Sequence, residues 1–441
     1  MASRWQRPAP VNELTRLRRD LAAAGVALLD LADTNPTRHG LGSPAALAVV
    51  AAAAARAGRY DPDPRGPLAA REALAARFGG SPEDYWLTAS TSEAYAWLFA
   101  LLGNPGDAVA TPTPGYPLVE PLARYAHLTT APYPLHYLHP YGWTYDLDRL
   151  ETVLARPDVK ALAVVNPGNP TGAYVGPAGA AIADLAASHG VPVIADEVFF
   201  PYLLEQPIPV PVPVSRCFSG EVEQGDGDTG TLGMSDLGAA TVSGPVEIVR
   251  SSLRSHGARP PGLCFTLDGL SKLLCAPGFK LGWIRVTGVA AEVAAVRPVL
   301  DEIADTFLPA SAVMALALPG LLDLADGVVA ATRARLWANL ATLDAALPPT
   351  ARRRRAEGGW MALVDLPWTA DTDPAVTLLQ DHHVAVHPGW FYDLPDRACV
   401  ALSLLAEPDR FAAGVTALAA ALGGAEPPPA ETGAPATPAR A

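Results

Sequence analysis

Three short apolar segments of this chain each end in a polar motif, and this repeated pattern constrains the fold more than any other feature. The segments are residues 160–165, 191–195 and 263–267, each continuous and apolar. Such segments are typical of buried parallel strands. Because ligands of open α/β sheets bind outside the carboxyl ends of the strands, we expect the three polar motifs to converge on one site.

The rest of the pattern favours a doubly wound α/β sheet, in which strands alternate with helices. Residues 93–102 carry apolar side chains at helical spacing, residues 177–189 are predicted to form the helix between two of the strands, and residues 281–286 form a further predicted strand. With 441 residues, of which 50% are hydrophobic, the chain can bury a large core, and we expect a larger and a smaller domain.

Charge, hydropathy and cysteine spacing argue against several functions. The net charge is −13, so a nucleic-acid partner is not expected, because such binding needs clustered lysine and arginine. The first twelve residues lack the apolar core of a signal peptide, and no apolar run of about 18 residues predicts a membrane span. The four cysteines are scattered, and His382 and His383 lack a third ligand at suitable spacing, so we predict a cytoplasmic location and no metal site.

Four motifs follow one another along the chain. They are NPGNPTG at residues 166–172, DEVF at 196–199, GLSK at 269–272 and PGFKLGW at 277–283. In this order they resemble the motifs of fold-type I pyridoxal-phosphate enzymes, specifically the class I/II aminotransferases. The resemblance implies pyridoxal 5′-phosphate as cofactor and an α/β fold of fold type I: a large domain with a mostly parallel, doubly wound sheet, and a smaller α+β domain built from both termini.

The resemblance assigns a role to one residue in each of the first three motifs. Lys272 would bond covalently to the cofactor aldehyde and later carry a proton of the substrate, for which its amine has to be neutral. Asp196 would pair with the ring nitrogen and keep it protonated, although an aspartate after a strand is also a common helix cap. Asn169 would direct its side-chain amide at the ring oxygen O3′ and lie near the substrate.

Further cofactor-binding positions follow from the same resemblance. Ser90, Thr91 and Ser92 open a helix, where amide groups and hydroxyls can hold a phosphate, although Ser90 and Glu93 also match a capping box. The remaining positions are Tyr116, expected to stack on the ring, Ser271 beside the reactive lysine, Lys280 at the phosphate, and Tyr60 at the phosphate of a neighbouring subunit. The last of these implies a homodimer with shared active sites.

The chain departs from the family pattern at the phosphate, where Lys280 replaces a usual arginine and Asp268 and Gly269 stand in place of a usual serine. Two further departures concern the ring and the substrate. Phe199 stands where a tyrosine usually donates a hydrogen bond to O3′, and Ala401 stands where an arginine usually clamps the α-carboxylate of the substrate. Three explanations for Ala401 stay open: Arg38 or Arg397 supplies the clamp, the substrate lacks an α-carboxylate, or the protein has drifted from transamination. Asn35 matches a loop that lies near the substrate carboxylate in the family.

The domain bounds are predicted from the resemblance and from composition. Residues 1–50 join the smaller domain, residues 51–305 form the large cofactor-binding domain with a surface insertion at about 207–261, residues 306–422 form the smaller domain, and residues 423–441 form a disordered tail. Trp390, Phe391 and Tyr392 suggest a substrate pocket for a neutral or aromatic side chain, although large aromatic residues mostly serve ordinary packing.

We therefore expect a pyridoxal-phosphate-dependent aminotransferase, which moves an amino group from an amino acid to a 2-oxo acid. A neutral or aromatic amino acid is favoured. A C–S β-lyase or a decarboxylase of the same fold would use the same Lys272 and Asp196, so the sequence leaves these reactions open. A cofactor-binding protein without catalysis is the alternative from another class.

Overall fold

The computed structural model of the protein describes residues 11–176, 178–206, 208, 261–368, 373–394 and 398–423. Most of the predicted insertion therefore lies outside the described residues, which include only Ile208 and Pro261 of it. The predicted tail lies outside them as well, apart from Gly423.

The described ranges contain helices and strands that alternate through most of the chain. The strands are β1 (Leu29–Asp30), β2 (Tyr85–Thr88), β3 (Ala108–Thr113), β4 (Thr129–Leu138), β5 (Gly142–Tyr145), β6 (Val159–Val165), β7 (Val193–Asp196), β8 (Cys264–Gly269), β9 (Gly282–Thr287), β10 (Arg352–Arg353), β11 (Met361–Asp365), β12 (Val384–Ala385), β13 (His387–Pro388) and β14 (Cys399–Ser403). The helices are α1 (Glu13–Ala23), α2 (Pro44–Ala54), α3 (Leu68–Phe78), α4 (Thr91–Leu102), α5 (Val119–Tyr125), α6 (Leu147–Leu154), α7 (Ala178–Ser188), α8 (Leu270–Leu273), α9 (Ala290–Phe307), α10 (Ala312–Leu322), α11 (Ala325–Ala346), α12 (Pro374–His382) and α13 (Pro408–Leu422).

The largest sheet has eight strands in the order β2-β9-β8-β7-β6-β3-β4-β5. The strands from β8 to β4 run parallel to one another, and antiparallel pairs close the two edges. The non-sequential order of the parallel strands is that of a doubly wound sheet. The predicted α/β fold class, with a large and mostly parallel central sheet, is confirmed.

The three predicted strands that carry the polar motifs are neighbours in this sheet. In the register of β6 and β7, Val165 pairs with Asp196, and in the register of β7 and β8, Asp196 pairs with Leu267. Because β6, β7 and β8 are parallel and in step, their carboxyl ends form one edge, and the segments that follow them start side by side.

Helices cover both faces of this sheet. Along β7, Ile194 packs with the aromatic residues of α4 on one face, while Val193 and Ala195 pack with Ile182 of α7 on the other. This alternation follows from the period of two in a strand, and a strand buried on both faces has to be apolar at every position. It explains why the sequence of β7 is continuously apolar up to Asp196.

A second sheet of four antiparallel strands, in the order β10-β11-β14-β13, is built from residues near the carboxyl end. Near the amino end, β1 pairs in parallel with β12, so the first described strand packs with the last third of the chain. One core cluster joins Leu31 to Phe411 and Val415 of α13. The contacts thus bring both ends of the described chain together, while the predicted domain bounds themselves stay a prediction.

No single helix in the described ranges is long and apolar enough to cross a membrane. The pair α9 and α10, bent by 119° at the break between them, would pass that test of length and composition only if counted together.

Candidate active site

A cavity of about 480 Å³ opens at the carboxyl ends of β6, β7 and β8. Asn169, Asp196 and Lys272, which end or follow these strands, all line it. The other wall comes from the region of the four-stranded sheet and includes Trp360 and His387. The cavity therefore lies between the two sheets. The large sheet supplies its charged and amide groups together with apolar side chains, and the region of the four-stranded sheet supplies mostly aromatic groups.

Aromatic rings enclose the amine of Lys272. Its Nζ atom lies 4.7 Å from the centroid of the Trp360 ring and 5.1 Å from that of the Phe199 ring. Burial lowers the pKa of this amine, whereas interactions with Cys275 and Asp196 favour its charged form. A half-buried lysine whose pKa is lowered has a larger neutral fraction, as a nucleophile or a proton carrier requires.

Asp196, the last residue of β7, presents a buried carboxyl group to the cavity. Burial raises the pKa of Asp196 to about 6, although the Val198 amide, which donates to Oδ1 at 3.3 Å, and the charge of Lys272 oppose the rise. A carboxylate in such a place gains from a cation beside it. The protonated nitrogen of a pyridine ring is a cation of suitable size and chemistry.

The turn after β6 holds Asn169 in the cavity with part of its side chain unpaired. Asn166 fixes the start of the turn, because its side chain donates to Glu197 and accepts from the Val175 amide, both at 3.1 Å. By contrast, the Oδ1 atom of Asn169 is buried and has no hydrogen-bond partner among the described residues. An unpaired buried acceptor costs free energy, so Oδ1 is available to a hydrogen-bond donor of a ligand, while the Nδ2 group is the donor that a ring oxygen would need.

The start of α4 supplies an anion-binding end to the cavity. Ser90 caps the helix by accepting a hydrogen bond from the Glu93 amide at 3.2 Å, while the Glu93 carboxylate accepts one from the Ala89 amide at 2.6 Å. The reciprocal bond of the expected capping box thus reaches Ala89 instead of Ser90. The amides of Thr91 and Ser92, in the first turn, lack intrahelical acceptors and can bind a phosphate.

The residues present fit pyridoxal phosphate. Lys272 would hold the aldehyde carbon, Asp196 the ring nitrogen, Asn169 the ring oxygen, and the start of α4 the phosphate. Of the other predicted positions, Ser90, Thr91, Tyr116, Phe199 and Ser271 also line the cavity, whereas Ser92, Tyr60, Lys280, Asn35 and Arg38 do not.

The positions outside the cavity have other surroundings. Tyr60 is 72% exposed, as a residue that reaches a neighbouring subunit would be in a single chain. Lys280 is exposed and adopts a left-handed conformation with φ of 50° at the end of a short 3-10 turn. Asn35 caps another such turn by accepting a hydrogen bond from the Thr37 amide at 3.2 Å.

The region expected to receive a substrate carboxylate is largely apolar. Ala401 is fully buried in β14, where it pairs with Leu363 inside an apolar cluster. Arg38 donates to Asp33 at 3.2 Å, and Arg397 lies outside the described residues. In the part of the chain that the structure describes, no arginine lines the cavity.

Sequence reasoning missed Trp360 and Met361, which line the cavity from the start of β11. The available signal was the pair Gly358-Gly359 before an apolar segment, because paired glycines mark a close approach of two backbones. Thr34 is a further lining residue that the sequence did not single out, although the neighbouring Asn35 was predicted.

The fold and the cavity together define a class of protein: an α/β protein of fold type I whose site fits pyridoxal phosphate. The chain belongs to the aminotransferase class I and II family, whose model matches residues 34–412. The resemblance that the four sequence motifs indicated is thereby confirmed over most of the chain.

Curated relatives include aminotransferases for different amino acids. The chain is 27% identical to the alanine aminotransferase of Mycobacterium bovis over 278 residues, which cover 61% of this chain and 54% of that protein. It is 24% identical to the tyrosine aminotransferase of Caenorhabditis elegans over 342 residues, which cover 75% and 64%. The chain thus spans about half the length of the mycobacterial relative that it matches.

Solved structures support the fold over nearly the whole chain. An alanine aminotransferase from Pyrococcus furiosus superposes with a TM-score of 0.73 at 20% identity and covers 93% of this chain and 96% of its own. A double mutant of the Thermus thermophilus aspartate aminotransferase gives a TM-score of 0.71 at 22% identity, with coverage of 96% and 99%. At such identities the likeness concerns the fold alone.

Proposed function

We propose that this protein is a pyridoxal-phosphate-dependent aminotransferase, which transfers an amino group from an amino acid to a 2-oxo acid. The observation that carries the proposal is the placement of Lys272 and Asp196. Both line one cavity at the ends of adjacent parallel strands, and burial shifts the pKa of each toward its neutral form. Membership of the aminotransferase class I and II family supports the same reaction.

Each residue has a defined task in this reaction. When bound, pyridoxal phosphate supplies an aldehyde and a protonated ring that takes up electrons from a bond at the substrate Cα. Asp196 keeps the ring nitrogen protonated. The Nζ atom of Lys272 removes the Cα proton, for which the lowered pKa of its amine is suited. The amides at the start of α4 hold the phosphate and fix the position of the ring.

A single-turnover experiment tests this reaction. Protein loaded with pyridoxal phosphate is mixed with an amino acid in the absence of any 2-oxo acid acceptor. A transferase forms at most one equivalent of 2-oxo acid per site and releases no ammonia, and an added acceptor restarts turnover. Continuous release of ammonia without an acceptor would contradict the proposal.

A lyase is the second candidate, and one relative favours it. An S-alkyl-thiohydroximate lyase of Arabidopsis thaliana is 27% identical over 250 residues, which cover 56% of this chain and 44% of that protein. A C–S lyase would also need Lys272 to remove the Cα proton, but the bond to the β-substituent would then break. The same single-turnover experiment, with cysteine or a thioether amino acid as donor, separates the two reactions by the release of ammonia.

The donor is expected to be a neutral or aromatic amino acid. The wall that faces Lys272 includes Phe391 and Tyr392, and the ring of Phe391 stacks on His387 with centroids 5.5 Å apart. Burial lowers the pKa of His387, so this imidazole offers no full positive charge near pH 7 to a carboxylate side chain, and its Nε2 atom lies 2.8 Å from the Ala32 carbonyl oxygen.

We expect kcat/KM for phenylalanine to exceed that for aspartate by at least about 10-fold, because an acidic side chain would lose its hydration against an apolar wall. Steady-state assays with both donors measure the ratio. Phe391→Ala should reduce the preference, whereas Phe307→Ala, which removes an exposed ring outside the cavity, should leave it unchanged. Equal or higher efficiency with aspartate would refute the assignment.

A homodimer with shared sites extends the proposal, since Tyr60 is exposed and lies outside the cavity of its own chain. Lys272→Ala and Tyr60→Ala chains, each weakly active alone, should regain activity when unfolded and refolded together, because a mixed dimer contains one site with both native residues. Absence of recovery in a mixture shown to form mixed dimers would contradict the shared site. A cytoplasmic location stays a prediction, which cell fractionation would test.

A further inference from the structure

Trp360 is part of the four-stranded sheet region, but its side chain contacts Lys272 beside the eight-stranded sheet. It directly precedes β11 of the four-stranded sheet, and its carbonyl group accepts a hydrogen bond from the Leu404 amide at 2.9 Å. Its side chain nevertheless lies against Lys272, which follows β8 of the eight-stranded sheet, and only 1% of Trp360 is exposed. The indole is therefore a large buried contact between the two halves of the cavity.

Two glycines hold the backbone of this segment against the large sheet. The Gly358 amide donates to the Gly172 carbonyl, and the Gly359 amide donates to the Tyr202 carbonyl, both at 2.9 Å. A Cβ atom on Gly358 would lie 2.7 Å from the Tyr174 ring and 2.9 Å from the Tyr202 carbonyl oxygen, and Gly359 has a φ of +90°. Only glycine allows this approach without a shift, so the position of Trp360 is fixed by backbone contacts on its amino-terminal side.

Trp360 belongs to an aromatic group that holds both ends of Lys272. The Phe199 and Trp360 rings meet edge to face, with centroids 5.3 Å apart, and form two adjoining walls around Nζ. The Tyr202 ring packs on Trp360 with centroids 5.2 Å apart, and its hydroxyl donates to the Lys272 carbonyl at 2.6 Å. The main chain and the amine of the lysine are thus restrained by the same cluster.

These rings act on the charge of Nζ in a direction opposite to burial. The face of an aromatic ring attracts a cation, and indole does so more strongly than phenyl. Burial disfavours the charged amine, while Asp196 and Cys275, the titratable groups that act on Lys272 from β7 and from the end of α8, favour it. The indole face therefore adds to Asp196 and offsets part of the effect of burial.

We propose that Trp360 is a positioning residue for Lys272: its indole face, joined to the Phe199 ring, fixes Nζ in the cavity and stabilises the positively charged form of that nitrogen. The inference rests on the proposed function, because it takes Lys272 as the lysine that bonds to pyridoxal phosphate. The Nε1 atom of Trp360 is buried without a partner among the described residues, so no hydrogen bond competes in setting the orientation of the ring.

The test is the pH midpoint of the visible absorption change of the protein loaded with pyridoxal phosphate, since this change reports the protonation of the nitrogen that Lys272 supplies. Trp360→Leu should lower the midpoint by about 0.4 to 1.5 pH units, because a cation loses the attraction of the indole face. Trp360→Phe keeps an aromatic face and should give a smaller fall. Phe199→Leu should shift the midpoint in the same direction as Trp360→Leu.

Trp337→Leu is the matched control. This tryptophan, on α11, packs on Arg333 and donates from Nε1 to the Leu203 carbonyl at 3.1 Å, but it does not line the cavity, so its loss should leave the midpoint unchanged. Far-ultraviolet circular dichroism establishes which variants fold. If Trp360→Leu does not fold, Trp360→Phe and Phe199→Leu provide the test. A midpoint equal to that of the unmutated protein in the folded variants, or a rise, would overturn the inference. Absence of any visible band in the unmutated, loaded protein would instead refute the proposed function.

Discussion

Replacing Lys272 with alanine should lower kcat/KM by at least about 10³-fold, because the variant loses the group that we propose bonds to the cofactor and moves the Cα proton. The chain has three lysines, at positions 160, 272 and 280, so covalent attachment can be assigned without ambiguity. Borohydride reduction of the loaded protein, followed by peptide mass spectrometry, should place the cofactor mass on Lys272. In Lys272→Ala that modification and the visible absorption band should both disappear.

Lys160→Ala is a suitable control for this prediction. The Lys160 ammonium donates to the Pro157 carbonyl at 2.8 Å on the exposed side of the chain, outside the cavity. Its loss should leave both turnover and cofactor attachment unchanged. Cofactor mass found on Lys160 or Lys280 of the unmutated protein, or full activity of Lys272→Ala, would remove the basis of the proposed function.

Asp196→Asn should lower kcat/KM by at least about 10²-fold while leaving pyridoxal phosphate bound. The amide has nearly the same shape as the carboxyl group, but it carries no charge to keep the ring nitrogen protonated, so the electrostatic stabilisation of the developing carbanion is lost. Steady-state kinetics and a fluorescence titration with the cofactor measure the two effects separately. Asp196→Glu, which keeps the charge, should retain more activity than Asp196→Asn. Equal activities of Asp196→Asn and the unmutated protein would contradict the role of Asp196.

The same substitution should have the opposite effect on the stability of the cofactor-free protein. Burial raises the pKa of Asp196 from 3.8 to about 6, so the unfolded chain ionises this group at lower pH than the folded protein does. Stability is therefore lost as pH rises from about 4 to about 6, by up to about 3 kcal/mol, and Asp196→Asn escapes that loss. The free energy of unfolding in urea should be measured for both proteins at pH 4 and pH 8. The value for Asp196→Asn minus that for the unmutated protein should be larger at pH 8 than at pH 4. The same relative stability at both pH values would mean that the burial of the carboxyl costs little.

The sequence was sufficient to predict the polar side of the cavity. Strands β6, β7 and β8 are apolar at most positions because both faces are covered by helices, and this pattern is typical of parallel neighbours whose ends meet. This geometry alone predicts that Asn169, Asp196 and Lys272 lie near one another. Their chemistry came from the resemblance, because an aspartate or a lysine after a strand has many roles.

The aromatic side of the cavity could not be predicted in the same way. Trp360 and Lys272 lie 88 positions apart in the chain and belong to the regions of two different sheets. No local periodicity predicts that their side chains meet. The position of Arg38 in the chain makes it a candidate clamp, yet in the folded loop its guanidinium donates to Asp33. Local sequence patterns contain no information on long-range packing or on which of several partners a side chain will bind.

The hydrogen bonds from Gly358 and Gly359 to the loops of the large sheet have a mechanical consequence. They join the segment before β11 to the loops after β6 and β7, and a further hydrogen bond, from the Gly115 amide to the Tyr392 carbonyl at 3.1 Å, joins the segment after β13 to the loop after β3. Any closing motion of the four-stranded sheet over a bound amino acid therefore has to keep or break both attachments. Phe391, which lines the cavity and is 40% exposed, lies directly beside the second attachment. Amide hydrogen exchange should therefore be slow at Gly115, Gly358 and Gly359, whose amides donate these bonds.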